Sequence, residues 1–96
     1  MNTLTVIAHI RARSGQTLRV RTELEKLIVP TRSEPGCLQY DLHQDNRNPA
    51  CFTFLEQWVS TDHWQQHMDG QPLQDYLAAV EGAVASFTLH QMTRIG

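Results

Sequence analysis

The residues best suited to chemistry lie close together, between Cys51 and Trp64. In the first part of this stretch, every second position holds an aromatic side chain or a carboxylate: Phe52, Phe54, Glu56 and Trp58. In a β-strand these four side chains point to one face. A carboxylate within an aromatic row can transfer a proton, and flat side chains can stack on a ring-shaped ligand. The pattern predicts one wall of a small-molecule pocket.

Glu56 has two interpretations, because a carboxylate among aromatic side chains is unfavourable unless it has a partner. The structural interpretation is an ion pair, or hydrogen bonds from backbone amides across a dimer. The functional interpretation is a general acid or base, or a carboxylate that orients the substrate.

His43 is the second candidate for proton transfer. If residues 37–44 and 51–59 pair symmetrically about their turn, His43 lies opposite Phe52 and shares a face with Glu56 and Trp58. There it could bind or deprotonate an acidic hydroxyl group. The alternative is a polar residue at the rim of a packed core, and Trp58 is buried in both cases.

His63 and His67 are four positions apart in a segment expected to be helical. This spacing can bring two imidazoles to one metal ion, but no third ligand follows at a recognisable spacing, so we expect no metal. Instead, we expect His67 to face the sheet with Trp64 and to line the pocket. Tyr76, on the last helix, is either a core residue or one whose hydroxyl reaches the cavity.

These residues must be positioned by a sheet and by helices that follow one another along the chain. Alternation, helical periodicity and turn residues predict the following elements: strand 4–13, a helix from 16 that Pro30 kinks or ends, strands 37–44 and 51–59, helix 61–68, a helix from 72, and strand 86–95. The order β-α-β-β-α-β is the ferredoxin-like plan, an α+β fold with both helices on one face of an antiparallel sheet. We expect one domain spanning residues 1–96.

Both faces of the central hairpin carry apolar side chains, and helices can cover only one of them. We therefore expect the second face to pack on the sheet of an identical subunit, which gives a homodimer and a dimeric α+β barrel. His9, Tyr40 and His90 are expected on that face.

Composition narrows the classes of function. The formal net charge is -2 and no basic run occurs, which argues against a nucleic-acid partner. No apolar stretch approaches the roughly 20 residues of a membrane span, so we expect a cytoplasmic protein. The chain also lacks a glycine-rich phosphate loop, a Cys-x-x-Cys pair and a nucleophile elbow, and we expect no cofactor.

Three segments resemble the antibiotic biosynthesis monooxygenase family, whose small members include quinol monooxygenases: TRSEPGCLQYDLHQD (31–45), NPACFTFLEQWVS (48–60) and HM (67–68). The resemblance implies dimeric α+β barrels and, in several members, oxygenation of electron-rich aromatic substrates without metal or flavin. A deprotonated phenol or hydroquinone can itself give an electron to O2. The protein then has only to bind, desolvate and deprotonate it.

The resemblance extends to single residues. Polyketide anthrone oxygenases of this family have a pocket tryptophan that matches Trp58 and a histidine that matches His43. Phe54 and Trp64 stand where those enzymes have asparagine and tyrosine, so two polar groups are absent here. In haem-degrading relatives, the asparagine, tryptophan and haem-ligating histidine match Ala8, His67 and Leu77, and we expect no haem site.

Together, the residues and the resemblance predict a cofactor-independent monooxygenase that oxidises a quinol, phenol or similar aromatic molecule with O2. Its catalytic residues would be His43, His67 and Glu56. Its pocket walls would be Phe52, Phe54, Trp58, Trp64 and Tyr76. Two alternatives stay open: an isomerase or lyase acting on a small hydroxycarbonyl metabolite, and a non-enzymatic dimeric module that binds a small molecule. An interior without a cavity approaching roughly 300 Å3 would favour the last.

Overall fold

The computed structural model describes residues 3–96, which form a four-stranded antiparallel sheet with helices on one face. The elements in chain order are β1 (Leu4–Ala12), α1 (Thr17–Glu25), α2 (Ile28–Arg32), β2 (Cys37–Gln44), β3 (Cys51–Trp58), α3 (Thr61–Asp69), α4 (Gln71–Ala79) and β4 (Val84–Met92). The strand order is β2-β3-β1-β4, so β3 and β1 are the central strands and β2 and β4 are the edge strands. The predicted ferredoxin-like α+β fold is confirmed.

The core lies between the helices and one face of the sheet, the inner face. Strand alternation puts Val6, Ala8, Ile10 and Ala12 of β1 on that face, and all four are buried. The predicted row of β3, from Phe52 to Trp58, is buried on the same face. The helices contribute Val20, Leu24 and Leu27 to this core.

Pro30 explains why the first helical region divides in two. A proline has no N–H group to donate to the carbonyl one turn earlier, which here belongs to Lys26. Accordingly, α1 ends at Glu25 and α2 begins at Ile28. The helix breaks before the proline rather than at it, and the last turn continues through Arg32.

The pairing of β2 with β3 differs by one residue from the symmetric pairing. His43 lies opposite Thr53, and Gln44 lies opposite Phe52. The connecting loop is held by the Asp45 carboxylate, which accepts hydrogen bonds from the N–H groups of Arg47 and Asn48. Because side chains alternate along a strand, a shift of one residue moves every side chain of β2 to the other face.

The shift places Tyr40 in the core and His43 outside it. The expectation that Tyr40 lies on the outer face is therefore wrong. The outer sheet face is formed by alternate residues of all four strands: Thr5, Ile7, His9, Arg11, Asp41, His43, Thr53, Leu55, Gln57, Thr88, His90 and Met92. This face is more polar than expected, with Ile7 paired to Leu55 near its centre.

The last helix and the last strand both begin earlier than predicted. The helix begins at Gln71, one residue earlier, and its Leu77 is 52% exposed. The last strand begins two residues earlier than predicted, at Val84, and ends at Met92. Among residues 3–96, the helices are all too short or too polar to cross a membrane.

Candidate active site

A small cavity lies between the inner face of the sheet and the helices. Its volume is about 40 Å3, and most of its lining is apolar. Four lining residues carry polar atoms: Tyr40, Glu56, His67 and Tyr76. They come from β2, β3, α3 and α4, so the site depends on the whole fold rather than on one motif.

Glu56 is buried on β3, with 4% of its surface exposed. Its Oε1 accepts a hydrogen bond of 3.0 Å from the indole N–H of Trp58. Burial raises the pKa of Glu56 to about 7, the Trp58 hydrogen bond lowers it, and the charge of Glu34 raises it further. Near neutral pH both protonation states are accessible, so this carboxyl can accept or donate a proton. Within residues 3–96, the hydrogen-bond partner of this carboxyl is the indole of Trp58.

His67 is buried on α3, above the indole of Trp58. The two rings stack with centroids 4.9 Å apart, and the ring of Tyr40 meets His67 edge-on at 5.6 Å. The Nδ1 atom lies 2.6 Å from Oε1 of Glu34. An ionised carboxylate can only accept hydrogen bonds, so in a neutral ring Nδ1 carries the proton and Nε2 is the acceptor. Nε2 has no hydrogen-bond partner among residues 3–96.

Glu34 reaches His67 because the loop between α2 and β2 packs against α3. Gly36 in this loop has φ 79°, and a Cβ added there would overlap the side chain of His63. His63 is held in turn by Ser60, whose Oγ lies 2.7 Å from its Nδ1 and also accepts a hydrogen bond from its backbone N–H. Ser60 is thus the N-cap of α3.

The two histidines of α3 have separate partners, Ser60 for His63 and Glu34 for His67. Among residues 3–96, no three His, Cys, Asp or Glu side chains are grouped as a metal site would require.

Tyr40 is a site residue that sequence reasoning missed. Its ring stacks on Phe54 with centroids 4.5 Å apart and is almost fully buried. Burial, followed by the charge of Glu56, raises the pKa of Tyr40 well above its ordinary value, so the phenol stays neutral. A signal was present in the sequence: Tyr40 and Leu42 alternate as regularly as the β3 row, and apolar rows on neighbouring strands commonly share a buried face.

Residues 3–81 match the family model described as antibiotic biosynthesis monooxygenase. The chain belongs to this family. It is 31% identical to an Escherichia coli (strain K12) protein named probable quinol monooxygenase YgiN, over 90% of this chain and 92% of that protein. Membership supports a monooxygenase-type function in general.

Solved structures with the same fold agree with the assignment. PA3566 from Pseudomonas aeruginosa has a TM-score of 0.95 and 32% identity, covering 100% of this chain and 97% of that one. SO0527 from Shewanella oneidensis has a TM-score of 0.91 and 26% identity, covering 97% and 91%.

In this member of the family, the cavity brings together four of the candidate residues: Phe54, Glu56, His67 and Tyr76. Burial raises the pKa of Tyr76 to about 12, which keeps its hydroxyl neutral. The other candidates lie elsewhere. His43 is exposed on the outer sheet face, so its expected place beside Glu56 is wrong, and the cause is the one-residue shift in register.

Three aromatic candidates are buried without lining the cavity: Phe52, Trp58 and Trp64. Trp58 was expected to stack on a substrate ring, but its indole stacks on His67 instead. The indole N–H of Trp64 is buried and has no partner among residues 3–96. Of these three residues, Trp58 contacts two residues that line the cavity, Glu56 and His67.

Proposed function

We propose that this chain is a monooxygenase that oxidises a quinol, phenol or similar electron-rich aromatic molecule with O2, using its own side chains for proton transfer. The observation that supports the proposal is the pair of proton-transfer groups at one apolar cavity. His67 has a free Nε2, and Glu56 has a pKa of about 7.

The first step is removal of a proton from the substrate. The hydroxyl O–H bond breaks, an Nε2–H bond forms on His67, and the substrate becomes a phenolate or a hydroquinone anion. An anion in an apolar site is a stronger electron donor than the neutral hydroxyl compound, because little hydration stabilises it.

The second step is reaction of the anion with O2. One electron passes from the anion to O2, and the resulting radical and superoxide combine to form a C–O bond. The His67 imidazolium protonates the peroxide. As the O–O bond breaks, the C–H bond of the oxygenated ring carbon also breaks, and the Glu56 carboxylate takes that proton and passes it to the departing hydroxide. For a hydroquinone, one oxygen atom stays in the hydroxyquinone, the other leaves as water, and the substrate supplies every electron that O2 takes up.

Substrate entry requires the cavity to expand, because about 40 Å3 holds a water-sized molecule and not an aromatic ring. Leu27 and Tyr76 also line a surface groove of about 260 Å3 between α1 and α4. Displacing these two side chains would join the groove and the cavity into one space that can admit a ring.

Oxygen uptake by the chelator-treated protein with a panel of hydroquinones tests the proposal. At least one hydroquinone should be oxidised well above its rate of autoxidation, and His67→Ala should lower that rate about 100-fold or more. His43→Ala is the matched control, because this histidine lies on the outer sheet face. Equal rates for the wild type and His67→Ala, or no stimulation by any hydroquinone, would refute it.

The cavity of about 40 Å3 is far below the roughly 300 Å3 of a preformed ligand site, and by that criterion a second candidate is favoured, a non-enzymatic module that binds a small molecule. This candidate predicts that an aromatic ligand raises the melting temperature without being converted and without O2 uptake. A ligand that is both bound and oxygenated would exclude it.

We also propose that the protein acts as a cytoplasmic homodimer paired through the outer sheet face. The support is the pair Ile7 and Leu55, which places apolar surface near the centre of that face.

A further inference from the structure

We infer that Glu34 is a positioning residue for His67, and that its carboxylate keeps the proton on Nδ1 so that Nε2 is the atom that accepts the substrate proton. The inference rests on the proposed function, in which His67 is the base. It adds a residue that lies outside the cavity, on the loop between α2 and β2.

The contact itself is short and shielded from water. Oε1 of Glu34 and Nδ1 of His67 are 2.6 Å apart, and the two side chains are 20% and 3% exposed. A hydrogen bond to an ionised carboxylate is stronger than one between neutral groups, and shielding from solvent strengthens it further. The bond therefore favours one tautomer of the imidazole over the other.

The glycines on either side of the contact leave room for the carboxylate. Gly36 allows the loop to approach His63 more closely than any residue with a Cβ would. A Cβ added at Gly70 would lie 3.3 Å from Oε2 of Glu34. The second oxygen therefore lies close to the end of α3.

The imidazole plane is also fixed from two other sides, by the stacked Trp58 and by the edge of Tyr40. When the substrate O–H bond breaks and an Nε2–H bond forms, the Nδ1–H bond is kept and an imidazolium results. Its positive charge then lies beside the Glu34 carboxylate, which favours the proton transfer in the direction of the imidazolium. Glu34 touches no reacting atom and acts only through His67.

Nitrogen-15 NMR of the histidine side chains tests the inference without relying on activity. In the wild type, the neutral ring of His67 should carry its proton on Nδ1. In Glu34→Ala the proton should move largely to Nε2, and oxygen uptake with a responsive hydroquinone should fall about 100-fold in kcat with little change in KM. Added formate should restore part of the Nδ1–H tautomer and part of kcat in Glu34→Ala, since it can occupy the space of the lost carboxylate.

Glu34→Gln keeps the volume of the side chain and removes its charge, so it reports on charge even if Glu34→Ala unfolds. It should fold, lose activity and gain nothing from formate. Glu25→Gln is the matched control, an exposed carboxylate that pairs with Arg21 on α1. It should leave both tautomer and rate unchanged.

Three results would overturn the inference: an Nε2–H tautomer in the wild type, an unchanged tautomer in Glu34→Ala, or full activity of Glu34→Gln. One further result would refute the proposed function and leave the positioning role of Glu34 intact. If the tautomer responds to Glu34→Ala as expected but no hydroquinone stimulates oxygen uptake by the wild type, the positioning role stands and the monooxygenase proposal fails.

Discussion

Glu56 is a carboxyl group that the fold holds in an environment suited to its neutral form. It is buried, it receives a single side-chain hydrogen bond from Trp58, and no cation within the described chain is paired with it. The pKa of about 7 follows chiefly from burial. A buried carboxyl of this kind lowers stability whenever it is ionised, which is a common feature of groups kept for function.

The stability of the fold should therefore depend on the protonation of Glu56. Its pKa is about 7 in the folded state and has an ordinary value of 4.5, so the folded state holds the proton more tightly. Below pH 4.5 both states are protonated. From there to about pH 7 the contribution of this group falls as pH rises, by about 3 kcal/mol in total.

Glu56→Gln should remove this dependence because the amide stays neutral. The free energy of unfolding of Glu56→Gln minus that of the wild type should rise from near zero at low pH to about 3 kcal/mol above pH 7. Urea denaturation at a series of pH values measures it, with Glu25→Gln as the exposed control. A difference that does not vary with pH would contradict the burial of an ionisable group at this position.

At the scale of elements, the contact between the α2–β2 loop and α3 joins the two halves of the chain. Gly36 is the residue that permits it, through a positive φ and through the absence of a Cβ next to His63. Residues 34–36 (Glu-Pro-Gly) therefore hold the loop against α3, and Gly36 allows the Glu34 carboxylate to reach His67.

Gly36→Ala should destabilise the protein more than Gly15→Ala does. Both glycines have φ 79°, so alanine at either costs about 1 kcal/mol or more in backbone strain. Nothing lies within 4 Å of a Cβ at Gly15, whereas at Gly36 it overlaps His63 and should cost a further 1–3 kcal/mol or so. Denaturation of both variants measures the difference, and equal losses would show that the close approach is not required.

Sequence periodicity predicted the elements well where the signal was local. The start of α3 at residue 61, the division near Pro30 and the buried row of β3 are confirmed. The hairpin register was not predicted, because symmetric pairing about the turn was assumed, whereas the observed pairing, with its loop held by the Asp45 hydrogen bonds, is shifted by one residue. His43 and Tyr40 were therefore assigned to the wrong faces.

The candidate site was predicted only in part, because some of its contacts join residues that are far apart in the sequence. The strand and helix patterns alone placed Glu56 and His67 on the covered side of the sheet. Glu34 depends on a contact between residues 33 positions apart, which no local pattern reports. The stacking of Trp58 on His67 could not be predicted from the sequence either, because it depends on the positions of the two rings in the fold.

At the scale of the molecule, the outer sheet face is the surface on which a second copy would pack. It places Ile7 and Leu55 side by side, with polar and histidine side chains around them. An apolar centre with a polar rim is the usual anatomy of an interface between subunits.

Leu55→Glu should separate the proposed dimer, because it buries a charge at the centre of the contact. The mass in solution should fall from twice 11.0 kDa to 11.0 kDa, as measured by light scattering or sedimentation. Val29→Glu is the control, since Val29 is 75% exposed on α2, on the opposite side of the sheet. A monomeric wild type, or a dimer that survives Leu55→Glu, would refute the proposed interface.

The position of Trp58 gives the protein an internal optical reporter. Its indole N–H contacts Glu56 and its ring face contacts His67, so both groups proposed to move protons touch one fluorophore. A protonated imidazole in contact with an indole quenches its emission, and a nearby carboxylate shifts its wavelength. The chain has two tryptophans, and Trp64→Phe would leave Trp58 as the single emitter. The fluorescence of Trp58 would then report proton transfer at His67 and Glu56 in real time, without an added label and without knowledge of the product.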